Sequence, residues 1–235
     1  MTPEPSSPIA DLDRRILLER DGLIVVDKPP HLPTSGRTLE DADCVQFWLM
    51  RRARRMVWAV HQLDADTSGL NIFVSRKSLV PAWQRRTRFP NARKSYLAIA
   101  HGAPDWDQRR LSAPIGFVET PARRSWAVVD SGKHAATRFE VLSRSADGKT
   151  CALRATLETG RTHQIRVHLQ HLGLSLIGEE WYRDEPCTRR RSCSATPRSP
   201  SACTRRRRRT SGSSPPTSVW NWAASSVRMT CATPT

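Results

Sequence analysis

The sequence predicts an α+β fold with a largely antiparallel sheet. Three observations carry that reading. Short runs with strand-like apolar patterning recur from Leu23 to Leu157. Tight-turn dipeptides, Asp21-Gly22 and Asp147-Gly148, sit between neighbouring runs and join them as hairpins. Helical signals are confined to three segments, near 38–52, 79–88 and 162–172. Hairpin-joined strands with a few interspersed helices pair antiparallel, whereas a parallel sheet needs a long crossover after each strand.

The elements follow in chain order. Asp21-Gly22 turns the chain between Leu17-Leu18 and Leu23–Val26, a continuous apolar run that reads as a buried strand. Pro29, Pro30 and Pro33 end that strand and stiffen the loop after it. Thr38 with Asp41 predicts a helix start, with the helix continuing to about Arg52 and burying Ala42, Val45 and Leu49. Arg51, Arg52, Arg54 and Arg55 crowd its C-terminal end, where the helix dipole favours cations. Val57–Val60 leads into the loop 61–69, and Leu70–Val74 is the next strand. Leu79–Arg88 reads as a helix that is basic on one face. Ser95–Ala100 alternates, with Tyr96, Ala98 and Ala100 on one face and Leu97 and Ile99 on the other. Arg124–Val129, Thr137–Leu142 and Cys151–Leu157 are three further strands. Thr162 is the expected cap of a last helix carrying Ile165, Leu169 and Leu172, which Gly173 stops.

The 235 residues suffice for one domain of ordinary size, and 38% hydrophobic content with eight Trp allows a core. No run of eighteen apolar residues occurs, so no membrane-spanning helix is expected. The N-terminus lacks a secretory pattern, and the expectation is a flexible lead-in over 1–13 and a cytoplasmic protein. The net charge of +16 is unevenly placed. Residues 1–182 hold 27 Lys+Arg against 20 Asp+Glu, whereas 183–235 hold 11 Arg against two acids. The body is moderately basic, which suits a polyanionic partner without requiring one. Residues 183–235 lack Leu, Ile, Phe, Lys, His and Gln, and 35 of the 53 are Arg, Ser, Thr or Pro. Such a segment buries too little apolar surface to offset the entropy of ordering. Cys44 and Cys151 lie in the body and no C-x-x-C pair exists, so reduced thiols are expected.

Candidate chemistry concentrates in two segments, His61-Gln-Leu-Asp-Ala-Asp-Thr-Ser-Gly69 and Thr159-Gly-Arg-Thr-His-Gln-Ile-Arg166. Asp64 is either a nucleophile or base presented on a loop, or a side chain that caps its own turn. Arg166 falls in the first turn or so of a helix, where it either holds an anion or simply faces solvent. Tyr96 lies mid-strand, as a base-stacking ring or as packing. His168 and His171 stand at i, i+3, but no His-Glu-x-x-His or Cys/His spacing supports a metal site, and none is expected. Paired carboxylates for glycoside hydrolysis, Asp64 with Asp66 or Glu158, have no spacing rule behind them.

Together the motifs resemble those of the RluA-type pseudouridine synthases. His61-Gln-Leu-Asp-Ala-Asp-Thr-Ser-Gly-Leu70 is similar to that family's His-Arg-Leu-Asp-x-x-Thr-Ser-Gly-Leu, and Thr159–Leu169 matches its second signature without a gap. Ile24-Val-Val-Asp-Lys-Pro-Pro30, Lys94-Ser-Tyr96, Ala113-Pro-Ile-Gly116 and Ala136-Thr-Arg-Phe-Glu-Val-Leu142 fit in the family's order. The resemblance covers roughly 16–182. It implies a mixed, largely antiparallel pseudouridine-synthase sheet with flanking helices, in one catalytic domain over 14–182. It implies RNA, tRNA or rRNA, as substrate and partner, and a reaction that needs no cofactor. By the same resemblance Asp64 is the catalytic aspartate and Tyr96 packs on the uracil. Arg166 pairs with Asp64, and Ile165 or Val167 walls the base pocket.

Two departures stand out. Gln62 occupies the place where the family most often has Arg, so RNA contact there loses a charge. After Tyr182 the family pattern stops where a closing strand is expected. The tail 183–235 is then either a disordered, basic RNA-binding extension or, as favoured here, the product of a shifted reading frame. The expectation is an RNA pseudouridine synthase. A catalytically impaired RNA-binding relative is the runner-up, and a carboxylate glycoside hydrolase stands third.

Overall fold

The computed structural model describes residues 11–38, 41–119 and 124–182, together with the backbone of 229–231. The first sheet consists of β1 (Ile16–Arg20), β2 (Leu23–Lys28), β3 (Trp58–Ala59) and β4 (Gly69–Val74), in the order β1-β2-β4-β3. Asp21 and Gly22 both take positive φ, 52° and 80°, as a two-residue hairpin with right-twisted strands requires. Helix α1 (Val45–Ala53) helps form the core on one face of this sheet, with Ile24, Val26, Leu49, Val57 and Phe73. Helix α2 (Val80–Arg86) contributes Val80 and Trp83 to a second cluster with Leu23, Val25, Val60, Ile72 and Val74. β2 is thus covered on both faces, the reason for its unbroken apolar run.

The second sheet holds β5 (Ala92–His101), β6 (Gln108–Ser112), β9 (Ala136–Arg144), β10 (Thr150–Leu157) and β11 (Ser175–Leu176), in the order β11-β5-β10-β9-β6. β7 (Ile115–Glu119) and β8 (Arg124–Val128) form a separate hairpin, and β12 (Met229–Cys231) pairs with Ala92–Lys94 of β5. Helix α3 (Gln164–His171) packs through Leu169 onto Ala100, Phe139 and Leu153. Every strand pairing among the described residues is antiparallel, so the α+β expectation holds in its antiparallel form. The alternation of β5 is as expected, with Ala100 buried while Leu97 and Ile99 are 47% and 50% exposed.

Four features differ from the sequence expectations. Helix α1 starts at Val45, not after Thr38, and Ala42 is exposed. The Asp41 carboxylate is used up in a tight loop, accepting from the Arg37 and Thr38 amides, and Cys44 Sγ caps the helix on the Phe47 amide. Helix α3 starts at Gln164, with His163 rather than Thr162 as its left-handed cap residue at φ 53°. β6 and β7 were not legible. β6 is a polar edge strand, and Gly116 breaks the pattern of β7, where a Cβ would stand 2.5 Å from Val129 Cγ2. Finally, of the lead-in expected over 1–13, residues 1–10 lie outside the described residues, whereas Leu12 is fully buried in the first core. The expected tail also lies outside them, apart from the backbone of 229–231.

Candidate active site

Asp64 stands between β3 and β4 in a turn closed by the Thr67 amide on the Asp64 carbonyl, 3.0 Å away. An irregular loop has no ladder to satisfy its backbone, so side chains must do it. Here they come from five directions. Gln46 of α1 donates to the Val57 carbonyl, Gln84 of α2 to that of Val60, and Asn71 of β4 to that of His61. Thr34 both donates to and accepts from Leu63, at 3.1 and 3.0 Å. The fifth is Lys28, which is wholly buried and donates from Nζ to the carbonyls of Pro29, Leu32 and Ala65 at 2.8, 2.6 and 2.8 Å. Burial pulls its pKa down to about 8, against the opposing charges of Asp66 and Asp64. The residue after Asp64 is therefore tied to the end of β2.

The second signature divides into scaffold and site. Gln164 Oε1 accepts from the Thr159 hydroxyl and the Arg161 amide, and its Nε2 donates to the Ala136 carbonyl and Thr137 Oγ1. His168 lies within 3.1 Å of the Ala113 carbonyl through Nε2, so that nitrogen carries the proton. Nδ1 then accepts from Thr137, at 2.9 Å. This buried network pins the start of α3 to the start of β9. It also removes His168 as a metal ligand, since both ring nitrogens are engaged. Among the described residues no group of three His, Cys, Asp or Glu is placed to hold a metal.

Arg166, one turn into α3, meets Asp64 through Nη1 to Oδ2 at 3.3 Å. It meets Glu179 twice, from Nε at 2.6 Å and from Nη2 at 2.7 Å. The Glu179 side chain is 4% exposed, that of Arg166 21% and that of Asp64 35%. Asp64 is thus the open end of the arrangement. Burial disfavours charge on Arg166, but Glu179 and Asp64 more than offset it, and its pKa is raised. Burial likewise opposes ionisation of Glu179, and hydrogen bonds from Arg166 and the Trp181 amide outweigh it and lower its pKa. The Tyr182 ring lies 5.0 Å from the guanidinium, and its hydroxyl is 2.6 Å from His163 Nδ1. His163 Nε2 in turn is 4.0 Å from Asp64 Oδ2.

The remaining sequence candidates fall as follows. Tyr96 is half-buried, and burial first, then the charge of Asp64, pushes its phenol up to about 12. It therefore stays neutral beside the carboxylate. Ile165 is partly buried against the second-sheet core, and Val167 is buried with Ile115, Ala135 and Tyr182. Gln62 is exposed, and its Oε1 accepts from Ser35 at 3.1 Å. The carboxylates weighed as hydrolase partners are engaged elsewhere: Asp66 with His31 at 2.9 Å, and Glu158 with Arg110 and Arg138 at 2.7 and 2.6 Å. Sequence reasoning missed Glu179, His163 and Tyr182 as parts of the site. The signal for Glu179 and Tyr182 was present in Gly178-Glu-Glu-Trp-Tyr182, though nothing local says which acid of that pair turns inward, and His163 lies inside the second signature itself.

Comparison with known proteins shows the family. The family model described as RNA pseudouridylate synthase matches residues 22–171. The chain belongs to that family. Family members of RluA type are among its relatives. The "Dual-specificity RNA pseudouridine synthase RluA" of Vibrio parahaemolyticus is 32% identical over 186 residues, 77% of this chain and 72% of that protein. The "Ribosomal large subunit pseudouridine synthase C" of Vibrio cholerae is 29% identical over 184 residues, 76% of this chain and 56% of the relative. The chain thus spans little more than half the length of several curated relatives it matches. The solved structure of "Human RNA Pseudouridylate Synthase Domain Containing 1" superposes with a TM-score of 0.62 at 26% identity, covering 77% of this chain and 72% of that one.

Proposed function

We propose that the protein is an RNA pseudouridine synthase that isomerises uridine to pseudouridine in tRNA or rRNA, in the cytoplasm and without a cofactor. The observation that carries this reading is the meeting of Asp64 and Arg166. A carboxylate on a heavily braced loop is left 35% open, with a partly buried guanidinium behind it and a neutral tyrosine beside it. That arrangement suits one task. The carboxylate acts at the ribose while the N1–C1′ bond of a uridine breaks, and the detached base is retained against Tyr96. The base turns, a C5–C1′ bond forms, C5 loses its proton and N1 gains one. Asp64 is the catalytic residue, whether it attacks C1′ or removes a sugar proton. Arg166 orients Asp64 through the contact of Nη1 with Oδ2. Ile165 shapes the pocket wall from α3, and Gln62 meets the RNA at the lip of the site. Arg85, Arg86 and Arg88 are exposed on and after α2, the helix whose Gln84 braces the Asp64 loop, and they offer phosphate contacts. The target must leave the RNA stack to reach Asp64.

The test is to incubate the purified protein with uridine-containing tRNA and rRNA transcripts and to map pseudouridine. Site-specific product is expected. RNA binding without product would establish the impaired relative instead, and product persisting in Asp64→Ala would overturn the mechanism.

A further inference from the structure

The family match ends at residue 171, yet the Arg166 guanidinium is held mainly by a residue beyond it. Glu179 takes Nε and Nη2, leaving only Nη1 for Asp64, at the longer distance of 3.3 Å. We propose that Glu179 is a positioning residue for the reaction. Its bidentate grip fixes the plane of Arg166 so that one guanidinium edge, not two, faces the catalytic carboxylate. Glu179 is itself fixed, since its Oε1 accepts from the Trp181 amide at 2.9 Å. Gln170 of α3 anchors the Tyr182 carbonyl at 2.8 Å, and Tyr182 packs its ring on the guanidinium. The segment 178–182 is thus a strap along α3, tied to it at Arg166 and at Gln170.

The chemistry explains why such a strap matters. An arginine free to choose pairs in bidentate fashion with the nearest carboxylate. Without Glu179 that carboxylate is Asp64, and a closed pair there would take both its oxygens away from the ribose. With Glu179 in place, Asp64 takes a single contact from Arg166 and stays the most open of the three side chains. The other groups facing the guanidinium add no charge: His163 has its pKa lowered by burial, and Tyr182 is pushed up to about 12.

This inference rests on the pseudouridine synthase reading, so its test needs one readout that does not. Glu179→Gln and Glu179→Asp are compared with the wild-type protein, each also in an Arg166→Lys background. In Glu179→Gln, kcat for pseudouridine formation is expected to fall roughly tenfold to a hundredfold, with KM for RNA within about threefold, as misplacement of a catalytic group predicts. Glu179→Asp should recover part of the loss. In the Arg166→Lys background, Glu179→Gln should change kcat by less than about threefold, because the two residues act as one unit. Independently of activity, the Arg166 Nε–H resonance of the free protein should be protected from exchange and lose that protection in Glu179→Gln. An unchanged kcat, equal losses in both backgrounds, or an unchanged Nε–H would each overturn the proposal. If Glu179→Gln does not fold, Glu179→Asp decides by the same criteria. A wild-type protein that forms no pseudouridine sinks the functional reading, and the Nε–H result still decides this one.

Discussion

Arg166 Nη1 lies 3.3 Å from Asp64 Oδ2, joining residues 102 positions apart in the chain. The contact links the β3–β4 loop of the first sheet to the helix that packs on the second. Each partner is held independently, Asp64 by the braced loop and Arg166 by Glu179. The two can therefore be perturbed separately.

Asp64→Asn should abolish pseudouridine formation while leaving the fold intact. The side chain is partly exposed, and the loop is held through backbone groups that the substitution does not touch. Unfolding free energy from a urea titration should change by less than about 1 kcal/mol, the usual worth of one solvent-open ion pair, here the single contact to Arg166. Chemical mapping of pseudouridine beside a urea titration checks both halves.

Lys28→Met should be a stability mutation first. It removes the donor from two buried carbonyls and one part-buried carbonyl, and a buried one costs about 1–3 kcal/mol when left unsatisfied. A fall in stability of roughly 3 kcal/mol or more is expected by that reasoning. Activity should fall with it, since the Ala65 carbonyl adjoins Asp64. Thermal unfolding measured alongside turnover tests the order of these effects, and a fully stable, inactive variant would contradict it.

The pH dependence of stability should carry the mark of His61. Its ring nitrogens are buried with no hydrogen-bond partner among the described residues, and burial, then Lys94, pulls its pKa to about 3 from 6.5. The folded protein therefore refuses a proton that the unfolded chain accepts below pH 6.5. Stability from this group is intact above pH 6.5 and is lost progressively as the pH falls towards 3, by on the order of a few kcal/mol. His168, also lowered by burial, adds in the same direction. Urea midpoints at pH 7.5 and pH 5 should differ less in His61→Phe than in the wild type. Equal differences would show that His61 does not contribute.

Gln62→Arg should tighten RNA binding. Gln62 is exposed, and its side chain accepts from Ser35. A guanidinium there adds one phosphate contact, so the slope of log K against log salt should steepen by roughly 0.7–0.9. Binding measured across a salt series decides this. A tighter complex with an unchanged slope would mean that the new side chain does not meet phosphate.

Much of the architecture was legible because it is local. The Asp21-Gly22 hairpin, the two-sided burial of Leu23–Val26 and the alternation of Ser95–Ala100 follow from spacing and turn chemistry alone. The failures were also physical. Thr38 and Asp41 look like a helix start, but the carboxylate closes a loop instead. β6 exposes most of its side chains at a sheet edge and so carries no apolar period.

The sequence by itself determined that Asp64 sits on a loop after a strand, that Arg166 opens a helix, and that their motifs occur in one family's order. Local spacing encodes those facts. Only the tertiary structure decided which residues serve them. Lys28 became a buried brace, Gln164 and His168 a scaffold, and Glu179 rather than Asp64 the main partner of Arg166. Those choices depend on which backbone groups and charges long-range packing brings within about 3 Å of one another, the reach of a hydrogen bond. No period or spacing along the chain carries that information.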